Sequence, residues 1–198
     1  MAIGSTRLYL IRHGEVVNHG VYNGHTDVDV TPWGISQMES LRDRLRGKEI
    51  RAIYASDLRR TRIGAEIIAQ PHALVPQYFS EFREMNFGRW QGLTYKEVME
   101  KYPEDIPRWL QDLEHFRIPQ GESLKDVQER VLPKLKELIA KHQGEDFVLV
   151  CHGAVNRVII ADALHLPLAH LLRIEQDYGC LNIIEYSSSW SVLKLING

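Results

Sequence analysis

The chain has 198 residues and a formal net charge of −2 at pH 7, with 24 Lys and Arg against 26 Asp and Glu. That length suits one domain, and 44% hydrophobic with 25% charged residues is ordinary for a globular protein. The charge balance argues against nucleic acid or an anionic membrane surface as a partner, and no run approaches the roughly 18 apolar residues of a membrane span. Two cysteines, Cys151 and Cys180, are too few for a disulfide framework and read as reduced thiols. The start, "MAIGSTRLYLIR", lacks a signal-peptide layout, so the expected location is cytoplasmic.

In chain order, "RLYLI" at 7–11 is short, apolar and partly β-branched, as a buried strand requires. A polar, Gly-rich loop follows. Thr31 and Pro32 then read as an N-cap and first helical residue, with Ile35, Met38, Leu41 and Leu45 at helical spacing and Gly47 after them. "AIYAS" at 52–56 is the second strand, and a helix over 57–69 buries Leu58, Ala65 and Ile68. Residues 78–93 form an irregular aromatic loop. Two short helices are expected near 94–102 and 106–114, with Pro103 between them.

"PQGES" turns into a helix capped by Ser123, with Leu124, Val127, Val131, Leu135 and Leu138 on one stripe. Pro133 lies inside that stripe and predicts a kink or break. "FVLVC" at 147–151 is the clearest buried strand, and it runs through "HGAVNRVIIADAL" into a helix. Residues 180–186 and 190–196 pair as a hairpin around "SSS". The order predicts an α/β fold: a mostly parallel central sheet, helices on both faces and a helical insertion.

In such sheets ligands sit beyond the carboxyl ends of the strands. Two strands here end in His-Gly: "RHG" at 12–14 and "CHG" at 151–153. Arg60 sits early in the helix after "AIYAS". Two guanidiniums and two imidazoles therefore meet at three strand ends, a set suited to a tetrahedral dianion. The guanidiniums can stabilise a transferring phosphoryl group, and one neutral imidazole can attack phosphorus while a backbone carbonyl holds its other nitrogen. Glu84, on the aromatic loop with Phe82, Phe87 and Trp90, is the candidate general acid for a leaving alkoxide.

Taken together, "RHGE" at 12–15, "SDLRRT" at 56–61, "EMNFGRWQG" at 84–92 and "CHG" at 151–153 resemble the histidine phosphatase superfamily, in the branch that includes cofactor-dependent phosphoglycerate mutases. "DVDVTPWG" at 27–34 and "PQGES" at 119–123 add weaker support. The resemblance implies one phosphoglycerate mutase-like domain over 1–198, with an insertion at about 93–120 capping the site. It implies that His13 is the phosphorylated nucleophile and Glu84 the proton donor, that Arg12, Arg60 and His152 bind the phosphate, and that Asn23 and Gly24 touch the substrate. It calls for no metal or other cofactor; the partner is a small-molecule phosphate ester.

The sequence departs from the family at Val16, where Thr is usual, and at His19, where Asn is usual, with Asn18 one place early. Tyr95 stands where a mutase has lysine, and no Arg-Arg pair occurs between 93 and 120, which favours hydrolysis over mutase transfer. "REMNFGRWQG" and the C-terminal tail are similar to α-ribazole phosphatases, making α-ribazole 5′-phosphate a candidate substrate. The competing readings are a phosphoglycerate-type mutase, a non-catalytic phosphate-binding module, and a zinc site built from His13, His19, His25, His152 and Asp27. Arg12 and Arg60 beside that site would repel a cation.

Overall fold

The computed structural model describes residues 4–198. The chain runs β1 (Thr6–Arg12), α1 (Pro32–Leu45), β2 (Ile50–Ala55), α2 (Arg59–Ala69), β3 (Gln77–Tyr78), α3 (Tyr95–Lys101), α4 (Asp105–Gln111), α5 (Leu124–Lys141), β4 (Asp146–Cys151), α6 (Gly153–Ala163), β5 (Leu181–Tyr186) and β6 (Ser191–Leu195). The strands form one sheet in the order β3-β2-β4-β1-β5-β6. β3, β2, β4 and β1 are mutually parallel; β5 runs antiparallel to β1, and β6 closes the expected hairpin.

Period-two alternation divides the core into two layers. Tyr9, Ile11, Val148 and Val150 face α1 and α2, where Met38, Leu41, Leu45, Ala65 and Ile68 pack. Leu8, Leu10, Phe147 and Leu149 face the other way, against Val127, Val131 and Leu135 of α5 and Val155 and Ile159 of α6. Val98 of α3 and Ile106 of α4 extend that second layer. A parallel strand buried on both faces must be apolar at every position, which is why "LYLI" and "FVLV" read as continuous apolar runs.

The helix starts follow their caps. Thr31 Oγ1 accepts from Gly34 N, and reciprocal capping boxes join Thr94 to Glu97 and Ser123 to Asp126. Two expectations change. α2 begins at Arg59 rather than 57, because Leu58 stays extended as its N-cap and Ser56 is committed to another contact described below. α5 runs unbroken through Pro133. A mid-helix proline costs about 3 kcal/mol, yet Val131, Leu132, Leu135 and Leu138 are all buried on either side of it, and their packing holds the helix together.

The segment after β1 lies hard against the start of α1. A Cβ on Gly14 would stand 2.2 Å from Gly34 O, and one on Gly34 would stand 2.3 Å from Glu15 O. Both atoms struck are backbone, so neither clash can be relieved by a rotamer change. Gly34→Ala is expected to destabilise the fold by about 1–3 kcal/mol, read as a lower urea midpoint at constant m; an unchanged midpoint would show that the loop yields.

Candidate active site

The parallel register of β1 and β4 pairs Arg12 with Cys151, so the next residues, His13 and His152, emerge side by side. Their ring centroids are 5.2 Å apart, edge to face, and His13 N donates to Cys151 O. β2, on the other side of β4, delivers Ser56 to the same edge, where Ser56 N donates to Val150 O. Arg60 follows in the first turn of α2. Arg12, His13, Arg60, Asn23 and Glu84 line one cavity of about 240 Å³.

His13 Nδ1 lies 2.8 Å from Gly14 O, so it carries the proton and donates, and Nε2 is left with its lone pair. Burial, then Arg60 and Arg12, hold the His13 imidazole well below its ordinary range, so it is neutral. His152 is fully buried against His13, and burial, Arg60 and the His13 ring hold it down in the same way. His152 occupies the N-cap position of α6, but its side chain makes no capping bond; Nε2 instead meets the Ser56 hydroxyl at 2.7 Å. Ser56 Oγ also meets Thr61 Oγ1 at 2.7 Å.

Each phosphate-candidate guanidinium is held by backbone carbonyls. Arg12 donates to Gln176 O at 2.5 Å and stacks on Tyr178, 3.8 Å from the ring centroid. Arg60, 1% exposed, donates to Thr26 O and Gly24 O. Carbonyls orient a cation without neutralising it. Two buried nitrogens here have no partner in the protein, Arg12 Nε and His152 Nδ1. Gly24 lies outside the cavity lining, and its carbonyl positions Arg60.

Glu84 reaches the cavity from a loop fastened on three sides. Arg83 forks onto Asp57, at 2.7 and 2.6 Å. Arg130 pairs with Glu122 and donates to Glu81 O and Glu84 O. His25 Nε2 donates to Glu84 O at 2.9 Å. Trp90, fully buried, donates to Asp105 of α4, which also takes Arg89. The Glu84 carboxyl group accepts from Ala154 N at 3.2 Å, at the start of α6.

The departures from the family pattern resolve differently. Val16 is fully buried and bridges to Val30, so it serves the core. Asn18 donates to Asn23 Oδ1 at 2.7 Å and orients that cavity residue, whereas His19 is exposed. Of the segment 93–120, Trp109 lines the cavity; Leu171 and Leu172, from a 3₁₀ segment over Leu168–Arg173, supply a wall that the sequence reading did not anticipate. Ser56, Tyr178 and Arg157 were also missed. Ser56 could have been found in "SDLRRT", but nothing local marks the other two. Among the described residues, no group of three His, Cys, Asp or Glu could hold a metal, and the imagined zinc constellation does not assemble.

Because His13 and His152 titrate well below their ordinary value in the folded protein, the unfolded chain binds more protons near and below about pH 6.5. Their burial therefore costs stability as pH falls through that value and costs none well above it. Without phosphate, Tm is expected to hold above about pH 7 and to drop between about 6.5 and 5, with a shallower drop in His152→Asn. A slope equal in wild type and variant would detach it from this pair.

A family model described as histidine phosphatase superfamily (branch 1) matches residues 8–198. The chain is 28% identical over 193 residues to the adenosylcobalamin/α-ribazole phosphatase of Escherichia coli (strain K12), covering 96% of this chain and 95% of that protein. It is 31% identical over 193 residues to phosphoserine phosphatase 1 of Hydrogenobacter thermophilus, covering 96% and 92%. The crystal structure of the α-ribazole phosphatase from Shigella flexneri superposes with a TM-score of 0.87 at 28% identity, covering 97% of this chain and 96% of that one. With the match running nearly end to end, and its motifs meeting at one cavity, the chain belongs to the histidine phosphatase superfamily and is a phosphoric monoester hydrolase.

Proposed function

We propose that the protein hydrolyses a small organic phosphate ester through a phosphohistidine on His13. The observation that carries this reading is a neutral imidazole whose Nδ1–H is tied to Gly14 O, set between two guanidiniums that no carboxylate neutralises. The dianion binds Arg12 and Arg60, with Arg12 Nε taking one oxygen. With the Ser56 hydroxyl donating to His152 Nε2, Nδ1 carries a proton and donates to the same phosphoryl group.

His13 Nε2 then attacks phosphorus. The P–N bond forms as the ester P–O bond breaks, and Glu84 gives its proton to the departing alkoxide. In the second half, the Glu84 carboxylate takes a proton from water, the water oxygen attacks phosphorus, and the P–N bond breaks to restore neutral His13. The guanidiniums oppose the charge on the equatorial oxygens throughout, and they are already oriented by carbonyls before the substrate arrives.

The leaving-group side of the cavity is apolar. Val21, Tyr22, Phe87, Trp109, Leu171 and Leu172 line it. Such a wall suits an alcohol with an aromatic or aliphatic body. α-Ribazole 5′-phosphate, whose leaving group carries an aromatic base, belongs to that class and is our leading candidate. Cytoplasmic location accords with this reading, and among the described residues no helix is long and apolar enough to cross a membrane.

Wild-type protein in EDTA is expected to release inorganic phosphate from α-ribazole 5′-phosphate and to carry acid-labile phosphate after a rapid quench. His13→Ala should lose both, and a His13→Ala protein that still carries acid-labile phosphate would refute the nucleophile assignment. Glu84→Gln should lower kcat on alkyl phosphates by about 10²–10⁴ but far less on p-nitrophenyl phosphate, whose leaving group departs without a proton. Equal losses on the two esters would remove Glu84 as the acid.

A further inference from the structure

Three arginines among the described residues are neither exposed nor paired with a carboxylate: Arg12, Arg60 and Arg157. All three line the same cavity. The contrast with their neighbours is informative. Arg83, Arg89 and Arg130, similarly half-buried, fork onto Asp57, Asp105 and Glu122. That is how a structural guanidinium in this protein is satisfied. Arg157 is arranged like the substrate-facing pair instead: Nε donates to a backbone carbonyl, Ile174 O, at 2.7 Å, and its two terminal nitrogens have no protein acceptor.

Its position is set by α6. Arg157 lies one turn beyond Gly153, and a Cβ on Gly153 would stand 3.2 Å from Arg157 Nη1 and 3.7 Å from the Arg12 guanidinium. The terminal fork of Arg157 is thus beside Arg12, in the cavity that Leu171 and Leu172 also line. Among the described residues, Glu84 is the only carboxyl group on the cavity lining. Once Arg12 and Arg60 are matched by a phosphate dianion, and Glu84 holds its proton as the acid, Arg157 is the one lining cation left without a counter-group. Burial holds the Arg157 guanidinium below its ordinary range; Glu84, while ionised, opposes this, and Arg12 adds to it. An oxygen-rich group delivered by the ligand relieves both.

We propose that Arg157 is a specificity-determining residue that receives a second oxygen acceptor, carried on the leaving group as a carboxylate or as vicinal hydroxyls. This assignment rests on the phosphatase reading above. A planar fork suits either source, since both present two oxygens at the spacing of two guanidinium nitrogens. A substrate then spans three features: phosphate at Arg12 and Arg60, an oxygen pair at Arg157, and an apolar body against Tyr22, Trp109 and Leu172.

The test compares kcat/KM for two matched ester pairs in wild type, Arg157→Met and Arg157→Lys. L-Phosphoserine against O-phosphoethanolamine reports the carboxylate, and ribose 5-phosphate against 2-deoxyribose 5-phosphate reports the diol. In wild type, the acceptor-bearing member of one pair is expected to be favoured by about tenfold to a hundredfold. Arg157→Met should collapse that ratio toward one, and Arg157→Lys should retain part of it. The pair that responds identifies the source. A rise in Tm on adding vanadate certifies the fold of each variant. Wild-type ratios near one in both pairs, or ratios equal in wild type and Arg157→Met, overturn the assignment. So does a loss that is uniform across all four esters and matched by weaker vanadate inhibition, because that would place Arg157 on the phosphate itself. No turnover of any ester, p-nitrophenyl phosphate included, would instead sink the phosphatase reading.

Discussion

The parallel pairing of β1 with β4 is the constraint on which the site depends. Its register sets Arg12 opposite Cys151, and the residue after each is a histidine. A slip of one residue would turn every side chain of β1 to the opposite face, burying Tyr9 and Ile11 where Leu8 and Leu10 now pack. The core layers on both faces therefore fix the histidine pair. Chemistry at the sheet edge is positioned by hydrophobic packing well away from it.

That edge concentrates positive charge in a chain whose net charge is −2. Arg12, Arg60 and Arg157 line one cavity with a single carboxyl group among them, and the arrangement is costly before a ligand arrives. Backbone carbonyls of Gln176, Thr26, Gly24 and Ile174 hold the guanidiniums by their dipoles, leaving their full charge for a dianion. Burial, and then the same field, keep both imidazoles neutral. In the proposed mechanism the nucleophile needs a lone pair, and burial together with the Nδ1 bond to Gly14 O leaves His13 Nε2 with one.

Glu84, the proposed proton donor, is governed by a separate scaffold. Glu84 sits on a loop with little regular structure, yet the loop is clamped by ion pairs from three directions: Asp57 after β2, Glu122 at the start of α5, and Asp105 of α4 through the adjoining Arg89 and Trp90. Half-buried, bidentate arginine–carboxylate pairs hold geometry more firmly than exposed ones. The aromatic residues that surround Glu84 in sequence divide their labour in space. Trp90 and Phe82 are buried and anchor the loop, whereas Phe87 faces the cavity.

Much of this was legible in the amino-acid order. Apolar runs of five or six residues, cap residues at Thr31 and Ser123, and two His-Gly pairs after strands are local signals with local causes. They determined the α/β class, the helix and strand positions, and which imidazoles and guanidiniums would meet. Pro133 misled because a local penalty was outweighed by burial on both sides of it, a sum over distant partners. Only the tertiary structure decided that Ser56 holds His152, that Gly24 serves Arg60 through its carbonyl, that Asn18 orients Asn23, and that Leu171, Leu172 and Tyr178 close the cavity. It also decided the standing of Arg157. In sequence, Arg157 is simply the one arginine of a mostly apolar helix; what distinguishes it is that no carboxylate pairs with it, and pairing is set by packing between segments far apart in the chain.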